Sequence, residues 1–568
     1  MRILFLTHAF NSLTQRLFVE LRERGHEVAV EYDINDAVSL EAVELCRPEL
    51  IVAPFLTRAI PEAIWRHHTC LVIHPGIPGD RGPSALDWAI LNGETTWGVT
   101  VLQANGEMDG GDIWASVEFP LREASKGSLY RNEVTEAALE ALLLALERFA
   151  DADYRPQPLH EVDADIAGCW RPLMRQSERA IDWQHDDTDT VLRKIRSADG
   201  FPGVKDELLG RELFLYDARA ETKLHGEAGA LIARCGPAVC LATTDGAVWI
   251  GHLRDPAGEH PFKLPASRLL SDQIESLPEI VSGDQPGYQE IVYRELEGVG
   301  YLHFPFYNGA MGSAQCEALL TAFREAKARD TRAIVLMGGP DYWCNGMHLN
   351  LIEAAESAAD ESWRNINAID DLAREIITTD SHLTIAALQG NAGAGGVFLA
   401  RAADEVWMRR GVILNPHYKD MGNLFGSEYW TYLLPRYAGE ENAARIVEHR
   451  LPMGADEARK LGLVERVIES RGEAFVRQVE RLAVSTIRAP AFAERLEYKN
   501  ARRQSDESFK PLARYREEEL EQMRRNFYGF DPSYHVARYN FVCKVPKSRT
   551  PLTIANHRWE IPAWKHVS

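Results

Sequence analysis

The stretch CLVIHPGIPGDRGPS, residues 70–84, decides the fold of the first part of the chain. A short apolar run leads into His74, and the glycines and prolines that follow enforce a tight, irregular loop. The pattern predicts a strand ending near residue 73, with the histidine at its carboxyl end, where open α/β sheets place their ligands. Ser84, with Asp87 three residues later, predicts the start of the next helix in an arrangement close to a capping box.

Apolar runs alternate with amphipathic stretches on both sides of this motif, which is typical of a mostly parallel sheet covered on both faces. Residues 12–24 predict the first covering helix, closed by Gly25. No G-x-G-x-x-G follows the first strand, so the main signal of a dinucleotide site is missing. The strands predicted for this doubly wound α/β domain are residues 3–6, 27–31, 50–53, 69–73 and 97–102.

Two polar, proline-containing stretches, at about 154–158 and 272–289, divide the chain further. Between them, a helix and several short strand-like runs predict a small, OB-like β-barrel. Beyond them, strands and helices alternate again to about residue 470, and a helical extension follows. The predicted boundaries are 1–158 for the doubly wound domain, 159–272 for the barrel, 273–289 for a linker, and 290–568 for the last α/β domain with its helical tail.

Bulk composition limits the function classes. The chain has 568 residues, 45% of them hydrophobic and 26% charged, which indicates a globular protein with more than one core. A formal charge of -21 argues against nucleic acid as a partner. No apolar run reaches membrane-spanning length and no secretory signal is evident, so we predict a soluble, cytoplasmic protein with no membrane partner. Eight scattered cysteines indicate neither a metal site nor a disulfide framework.

A second polar motif accompanies His74. The predicted strand that ends near residue 102 leads into Met108-Asp109-Gly110-Gly111-Asp112. A histidine and a carboxylate on neighbouring strand ends can converge, and together they could serve a proton-transfer reaction. The alternative is a structural histidine beside ordinary turn chemistry.

The His74 and Asp109 motifs resemble the signature of the 10-formyltetrahydrofolate formyltransferases, and the resemblance covers about the first 270 residues. It implies that His74 polarises the formyl oxygen and that Asp109 orients the histidine and relays a proton from the nucleophile. It also implies 10-formyltetrahydrofolate as the formyl donor. The family's asparagine falls on Val72, and Ser84 is a hypothesis for its replacement. The folate-binding residues implied are Phe55, Leu56, Arg81 and Gln103.

Two loops stand out in the second half, WCNGMHL at residues 343–349 and QGNAGAGGV at residues 389–397. Small residues at a strand-to-helix turn let backbone N–H groups approach a ligand, and the helix that follows adds its positive dipole end. Such loops suit an oxyanion. The alternative is a turn that only packs a strand tightly against a helix.

The pair of loops resembles the oxyanion-hole loops of the crotonase (enoyl-CoA hydratase/isomerase) superfamily, over roughly residues 291–470. The resemblance implies a crotonase-like fold and coenzyme A as a ligand. It places the thioester-oxygen donors on the N–H groups of Met347 and Gly395, with Gly396 also in the binding loop.

The catalytic glutamates of hydratases are missing. The first aligns with Phe398 and the second falls within residues 415–418, which contain no glutamate, so ordinary hydration of enoyl-CoA is not expected. The nearby polar residues are His417, Tyr418 and Glu428. A tyrosine hydroxyl with an ordinary pKa of about 10 donates more readily than it accepts a proton. We therefore predict Tyr418 and Glu428 as the catalytic pair, Glu428 being the base if it is buried; the alternative is a surface helix residue.

The joining of these two halves resembles a family of [NiFe]-hydrogenase maturation proteins. The resemblance implies an enzyme that transfers the formyl group of 10-formyltetrahydrofolate to coenzyme A and then decarbonylates formyl-CoA, giving carbon monoxide for the active-site iron. It implies the hydrogenase large subunit or other maturation proteins as partners. Two alternatives stay open: a formyl-CoA hydrolase or transferase that releases formate, and a non-catalytic scaffold that binds folate and CoA.

Overall fold

The computed structural model describes residues 1–162, 168–280 and 287–559. The chain forms two compact units. The first combines residues 1–288 with the C-terminal segment that begins at Lys547, and the second is Gln289–Pro546. Part of the predicted linker, residues 281–286, lies outside the described residues.

The first unit begins with a six-stranded sheet in the order β2-β1-β3-β4-β5-β6. Strands β1 to β4 pair in parallel, and β5 and β6 continue antiparallel. The doubly wound prediction is confirmed. The strands are β1 (Arg2–Thr7), β2 (Glu27–Tyr32), β3 (Leu50–Ala53), β4 (Cys70–His74), β5 (Thr96–Gln103) and β6 (Ile113–Pro120). The helices are α1 (Ser12–Glu23), α2 (Asp36–Cys46), α3 (Glu62–Trp65), α4 (Ala85–Asn92), α5 (Lys126–Leu129) and α6 (Thr135–Ala150).

Local sequence accounts for these elements. Every residue of β1 after Arg2 is buried, as expected of a parallel strand covered on both faces. The side chain of Asn11 caps α1 by accepting from the backbone N–H of Thr14, and Gly25 follows the helix with φ +84°. The capping box predicted at Ser84 is wrong: its hydroxyl makes no cap bond and instead accepts from the Met174 N–H at 3.1 Å.

The second sheet of this unit has the order β7-β8-β11-β10-β9, with β12 paired to β11, and all its pairs are antiparallel. The predicted small, OB-like β-barrel is not confirmed, because in the described residues β7 and β9 do not pair and the sheet stays open. Apolar residues of α7, α8 and α9 cover its core face, which removes the need for closure. The elements are β7 (Val204–Leu208), β8 (Arg211–Glu221), β9 (Leu231–Cys235), β10 (Ala238–Ala242), β11 (Ala247–Arg254), β12 (Leu264–Pro265), α7 (Thr188–Ala198), α8 (Ala266–Leu269) and α9 (Ser271–Ile274).

The C-terminal segment returns to the first unit and covers its edge strand β2. The Val30 N–H donates to the Ile554 carbonyl at 2.9 Å. Burial alone would raise the pKa of Glu31, but hydrogen bonds from His557, Thr550 and Arg558 hold that pKa below its ordinary value. An edge strand with unpaired N–H and C=O groups invites aggregation, so this segment protects the sheet.

The second unit contains a six-stranded sheet, β13-β14-β15-β17-β19-β21, and a small sheet, β16-β18-β20. All pairs except β13 with β14 are parallel. The strands are β13 (Val292–Leu296), β14 (Val299–His303), β15 (Ala333–Gly338), β16 (Tyr342–Cys344), β17 (Leu383–Leu388), β18 (Asn391–Gly393), β19 (Glu405–Arg409), β20 (Leu414–Asn415) and β21 (Arg466–Ile468).

Helices make up the rest of this unit, and the predicted helical tail is confirmed as α18 to α20. Helix α19 packs against α12, and both contribute to one apolar core. No helix in the described ranges combines the length and apolar composition needed to cross a bilayer. The helices are α10 (Ser313–Lys327), α11 (Leu349–Glu353), α12 (Ala358–Ile377), α13 (Gly395–Arg401), α14 (Trp430–Ala438), α15 (Glu440–His449), α16 (Ala455–Lys460), α17 (Gly472–Arg488), α18 (Phe492–Phe509), α19 (Leu512–Tyr528) and α20 (Ser533–Val542).

Candidate active sites

His74 lies at the carboxyl end of β4, between two carboxylates. Its Nε2 is 3.0 Å from Asp80 Oδ2, and its Nδ1 is 3.5 Å from Asp109 Oδ2. The His74 side chain is only 5% exposed, so water does not screen these contacts strongly. An imidazole held on both sides by carboxylates has a fixed ring orientation and can pass a proton from one side to the other.

Asp109 reaches His74 by a route that differs from the one expected. Strand β5 runs antiparallel to β4 and places Gln103 opposite Leu71, so the two strands do not end at the same edge of the sheet. The loop after β5 turns back instead. The Gly82 N–H donates to Asp109 Oδ2 at 3.0 Å, which joins the two loops directly.

Asp80 is a partner of His74 that the sequence reading missed. Its side chain is fully buried, its Oδ1 lies 3.4 Å from Arg171 Nε, and this oxygen has no hydrogen bond in the described residues. Gly76 makes the contact possible, because a Cβ added there would lie 2.4 Å from His74 Nε2 and 2.7 Å from Asp80 Oδ2. Asp80 could have been predicted from its position, because it lies six residues after the histidine in the same Pro- and Gly-rich loop.

The residues predicted to bind folate fall into two groups. Phe55 and Leu56 follow β3, the strand beside β4, and so lie near the strand end that carries His74. Arg81 Nη1 pairs with Glu107 at 3.4 Å in the loops that join at Asp109. Gln103, in contrast, lies toward the other end of β4, and its Oε1 accepts from Trp114 Nε1 at 3.1 Å.

The two predicted oxyanion loops of the second unit lie side by side. Strands β16 and β18 pair in parallel, and a Cβ added to Gly396 would meet the Cys344 carbonyl oxygen at 2.0 Å. Met311 and Met347 form a parallel β-bridge. The Met311 N–H donates to the Gly346 carbonyl, and the Met311 carbonyl accepts from the His348 N–H. The Met347 N–H is therefore directed away from Met311. Gly395 is the first residue of α13, so its N–H has no partner within the helix.

Tyr418 and Glu428 form a buried pair against this loop. The Tyr418 hydroxyl donates to Glu428 Oε2 at 2.5 Å, and a Cβ added to Gly395 would lie 1.9 Å from Glu428 Oε1. Phe398 stacks on the Tyr418 ring at a centroid distance of 5.3 Å. The structure thus brings Tyr418, Glu428 and the Gly395 loop together, and Phe398 supports the tyrosine ring.

Burial sets the protonation of this site. Burial, and then the charge of Asp370, raises the pKa of Glu428 to about 8. Burial and the neighbouring Glu428 carboxylate raise the pKa of Tyr418 well above its ordinary value, so the tyrosine stays a donor. Burial lowers the pKa of His417, and its Nδ1 has no hydrogen bond in the described residues.

Two further buried carboxyls next to Glu428 were missed by the sequence reading. Asp370 on α12 and Glu519 on α19 are both 0% exposed, and burial raises their pKa values to about 6 and about 8. Each carboxyl interrupts the apolar face of its helix, and this interruption was the only sequence feature that could have indicated a buried carboxyl. Glu519 lies among the many charged residues of α19.

A hydrogenase maturation factor called HoxX from Bradyrhizobium diazoefficiens is 58% identical over 560 residues, covering 98% of this chain and 97% of the relative. The chain belongs to the HypX/HoxX family. A crystal structure of HypX from Aquifex aeolicus in complex with tetrahydrofolic acid superimposes with a TM-score of 0.95 at 48% identity, over 99% of this chain and all of that one. This member of the HypX/HoxX family is therefore a hydrogenase maturation factor.

Family models account for both halves of this HypX/HoxX chain. The formyl transferase family matches residues 31–146, and the formyl transferase C-terminal domain matches residues 173–261. The enoyl-CoA hydratase/isomerase family matches residues 300–535. The predicted formyltransferase-like and crotonase-like domains are confirmed, and their presence supports an enzyme.

Proposed function

We propose that the chain moves the formyl group of 10-formyltetrahydrofolate to coenzyme A and then releases carbon monoxide from formyl-CoA. The observation that carries this proposal is the buried Tyr418–Glu428 pair, with one Glu428 oxygen on the tyrosine and the other against Gly395. A base at that position meets the carbonyl carbon of a thioester bound to the loop. The folate is the formyl donor in this account, and coenzyme A accepts the formyl group in the first step and is regenerated in the second.

The first step takes place at His74. The sulfur of CoA attacks the formyl carbon, the new C–S bond forms, and the bond between carbon and N10 of the folate breaks. The thiol proton must end on N10, and the Asp109–His74–Asp80 arrangement offers a proton path between these atoms. The Nε2–H of the buried imidazole can also stabilise the charge that develops on the formyl oxygen, once that oxygen takes the place of the Asp80 carboxylate beside Nε2.

The second step takes place at Glu428. The Met347 and Gly395 N–H groups hold the thioester oxygen, and the Glu428 carboxylate removes the formyl proton. The C–S bond breaks with its electron pair on sulfur, carbon monoxide leaves, and Glu428 returns the proton to the thiolate. Atoms and electrons balance without an oxidant, a reductant or water.

The product fits the family assignment. Carbon monoxide is a ligand of the iron in [NiFe]-hydrogenases, and the chain belongs to a family of hydrogenase maturation factors. We propose the hydrogenase large subunit or another maturation protein as the acceptor, and the cytoplasm as the location.

Carbon monoxide release from formyl-CoA is expected to rise with pH. Glu428 must be ionised to act as a base, and its pKa is about 8. The rate therefore increases nearly tenfold per pH unit below about pH 7 and levels off above about pH 8. The measurement is the initial rate of CO capture by a ferrous haem protein between pH 5.5 and 9, starting from formyl-CoA so that the folate step does not contribute.

A rate that falls as the pH rises through 8 would contradict this assignment, since it would mean that Glu428 acts as the proton donor. A flat profile would contradict it as well.

Replacing Gly395 with alanine is expected to lower CO release by about 10²-fold. The new Cβ would overlap Glu428 Oε1, so the carboxyl has to leave the position where it meets the thioester. The matched control is Gly393→Ala, whose Cβ would find its nearest atom, Asn345 Oδ1, at 3.2 Å. Equal loss in both variants would show that the effect is general damage to the loop.

The product formed from formyl-CoA separates the three functions under consideration. Purified chain and formyl-CoA are mixed, and CO, formate and free CoA are measured together. CO and CoA in equal amounts support the proposal. Formate with CoA indicates the hydrolase, and unchanged formyl-CoA indicates the non-catalytic scaffold suggested by Val72 and Phe398.

A further inference from the structure

The backbone that carries Glu428 has an unusual conformation. Glu428 and Tyr429 are both left-handed, with φ of +59° and +60°, directly before α14 begins at Trp430. For residues with a Cβ this conformation is unfavourable, so the surroundings must stabilise it. It aims the Glu428 side chain at the Gly395 loop.

Asp370 holds this backbone from one side. Its Oδ1 accepts from the Glu428 N–H at 2.8 Å, and its Oδ2 accepts from the Ser427 hydroxyl at 2.8 Å. The residue comes from α12, a 20-residue helix whose Ile366 and Ile369 are anchored in the core. The contact therefore ties the strained turn to a rigid element.

Glu519 holds the backbone from the other side. It accepts from the N–H groups of Tyr429 at 3.0 Å and Thr431 at 2.8 Å, and from the Thr431 hydroxyl at 2.5 Å. The first N–H groups of a helix have no partner within it, and α14 lacks a side-chain cap of its own. A carboxyl from α19 thus serves as the cap of α14.

Ser427 links the two carboxyls. Its Oγ lies 2.8 Å from Asp370 Oδ2 and 3.2 Å from Glu519 Oε2. The hydroxyl donates to Asp370 at the shorter distance and is shared with Glu519 at the longer one, so Ser427 contacts both carboxyls.

We propose that Asp370 and Glu519 are positioning residues that hold the Ser427–Thr431 backbone from two helices and aim Glu428 at the thioester. The proposal rests on the proposed decarbonylation and assigns a role to the helical tail. Both residues act through Glu428 and contact no substrate.

The ionisable surroundings of Glu428 make this testable by pH. Burial and the charge of Asp370 raise the pKa of Glu428, and Glu519 adds to the rise, while the hydrogen bond from Tyr418 lowers it. The groups that face Glu428 are Tyr418, Asp370, Glu519, Cys316 and Cys344, and Arg516 Nε lies 3.7 Å from Asp370 Oδ2.

Two substitutions at Asp370 separate position from charge. Asp370→Asn keeps both contacts with the backbone turn. Its Oδ1 can accept from the Glu428 N–H, and its amide N–H can donate to Ser427 Oγ. The Ser427 hydroxyl then donates to Glu519. We expect a maximal rate of CO release within about threefold of the wild type and a pH midpoint about one unit lower, because a like charge is gone. Asp370→Ala removes both contacts and is expected to lower kcat by roughly 10–100-fold with an unchanged KM for formyl-CoA.

Two substitutions at Glu519 make the same separation of position from charge. Glu519→Gln keeps one acceptor oxygen and is expected to shift the midpoint down by less than Asp370→Asn does, and Glu519→Ala is expected to lower kcat. The control on the same helix is Glu518→Gln, at a side chain that is 63% exposed and pairs with Lys510. Circular dichroism establishes that each variant is folded.

Wild-type rates and pH profiles in Asp370→Asn and Asp370→Ala together would overturn the positioning role, and so would a change confined to KM. If the wild-type chain itself released no CO, the proposed function would fail instead, so the two failures are distinguishable.

Discussion

Replacing Glu428 with glutamine is expected to lower CO release from formyl-CoA by about 10²–10⁴-fold, the usual contribution of a positioned general base. Glutamine keeps the size of the side chain and can still accept from the Tyr418 hydroxyl, but it cannot take the formyl proton. Formyl transfer from folate to CoA takes place at His74 and should continue. The variant is therefore expected to accumulate formyl-CoA, which is measured by liquid chromatography beside trapped CO.

Stability provides the control for Glu428→Gln. The pKa of Glu428 is about 8 in the folded chain and about 4.5 in an unfolded one, so stability is lost as the pH rises from about 4.5 toward 8. Glutamine has no proton to lose, and the variant should gain up to a few kcal/mol in unfolding free energy at pH 8. An inactive but more stable protein supports the account. A variant that retains full CO release would exclude Glu428 as the base.

Replacing His74 with alanine is expected to lower formyl transfer to CoA by about 10²–10³-fold. The ring lies between Asp80 and Asp109, at 3.0 Å and 3.5 Å, and its loss breaks the proposed proton path. CO release from supplied formyl-CoA should stay at the wild-type rate. The measurement is tetrahydrofolate formation in the presence of CoA.

The control for this second substitution is His67→Ala, at an exposed histidine shortly before the same strand. His67→Ala should transfer formyl groups at the wild-type rate. Equal loss in the two variants, or loss of CO release from formyl-CoA in His74→Ala, would contradict the separation of the two reactions.

The first site illustrates what a local pattern can predict. The apolar run before His74 specified β4, and the turn residues after it specified an irregular loop, because both depend on neighbouring residues only. The direction of β5 was not predictable in this way. Pairing direction is set by contacts across the sheet, so Asp109 was correctly placed beside His74 for a reason that proved wrong.

Long-range contacts explain the other differences. The short strand-like runs beyond residue 200 suggested a barrel, whereas the sheet stays open and its core face packs against α7 to α9. Asp370 and Glu519 are 149 positions apart in the sequence, and no local pattern predicts that both contact Ser427. Tyr418 and Glu428 were found because they stand close in sequence to a recognisable loop; their catalytic roles stay predictions.

The most direct measurement follows one carbon atom through both units. The chain is given 10-formyltetrahydrofolate labelled with ¹³C in the formyl group, with and without CoA, and the gas is trapped on a ferrous haem protein whose CO stretch is read in the infrared. We predict ¹³CO only when CoA is present, in amounts equal to the tetrahydrofolate formed. Labelled formate without ¹³CO, or ¹³CO that does not depend on CoA, would contradict the account.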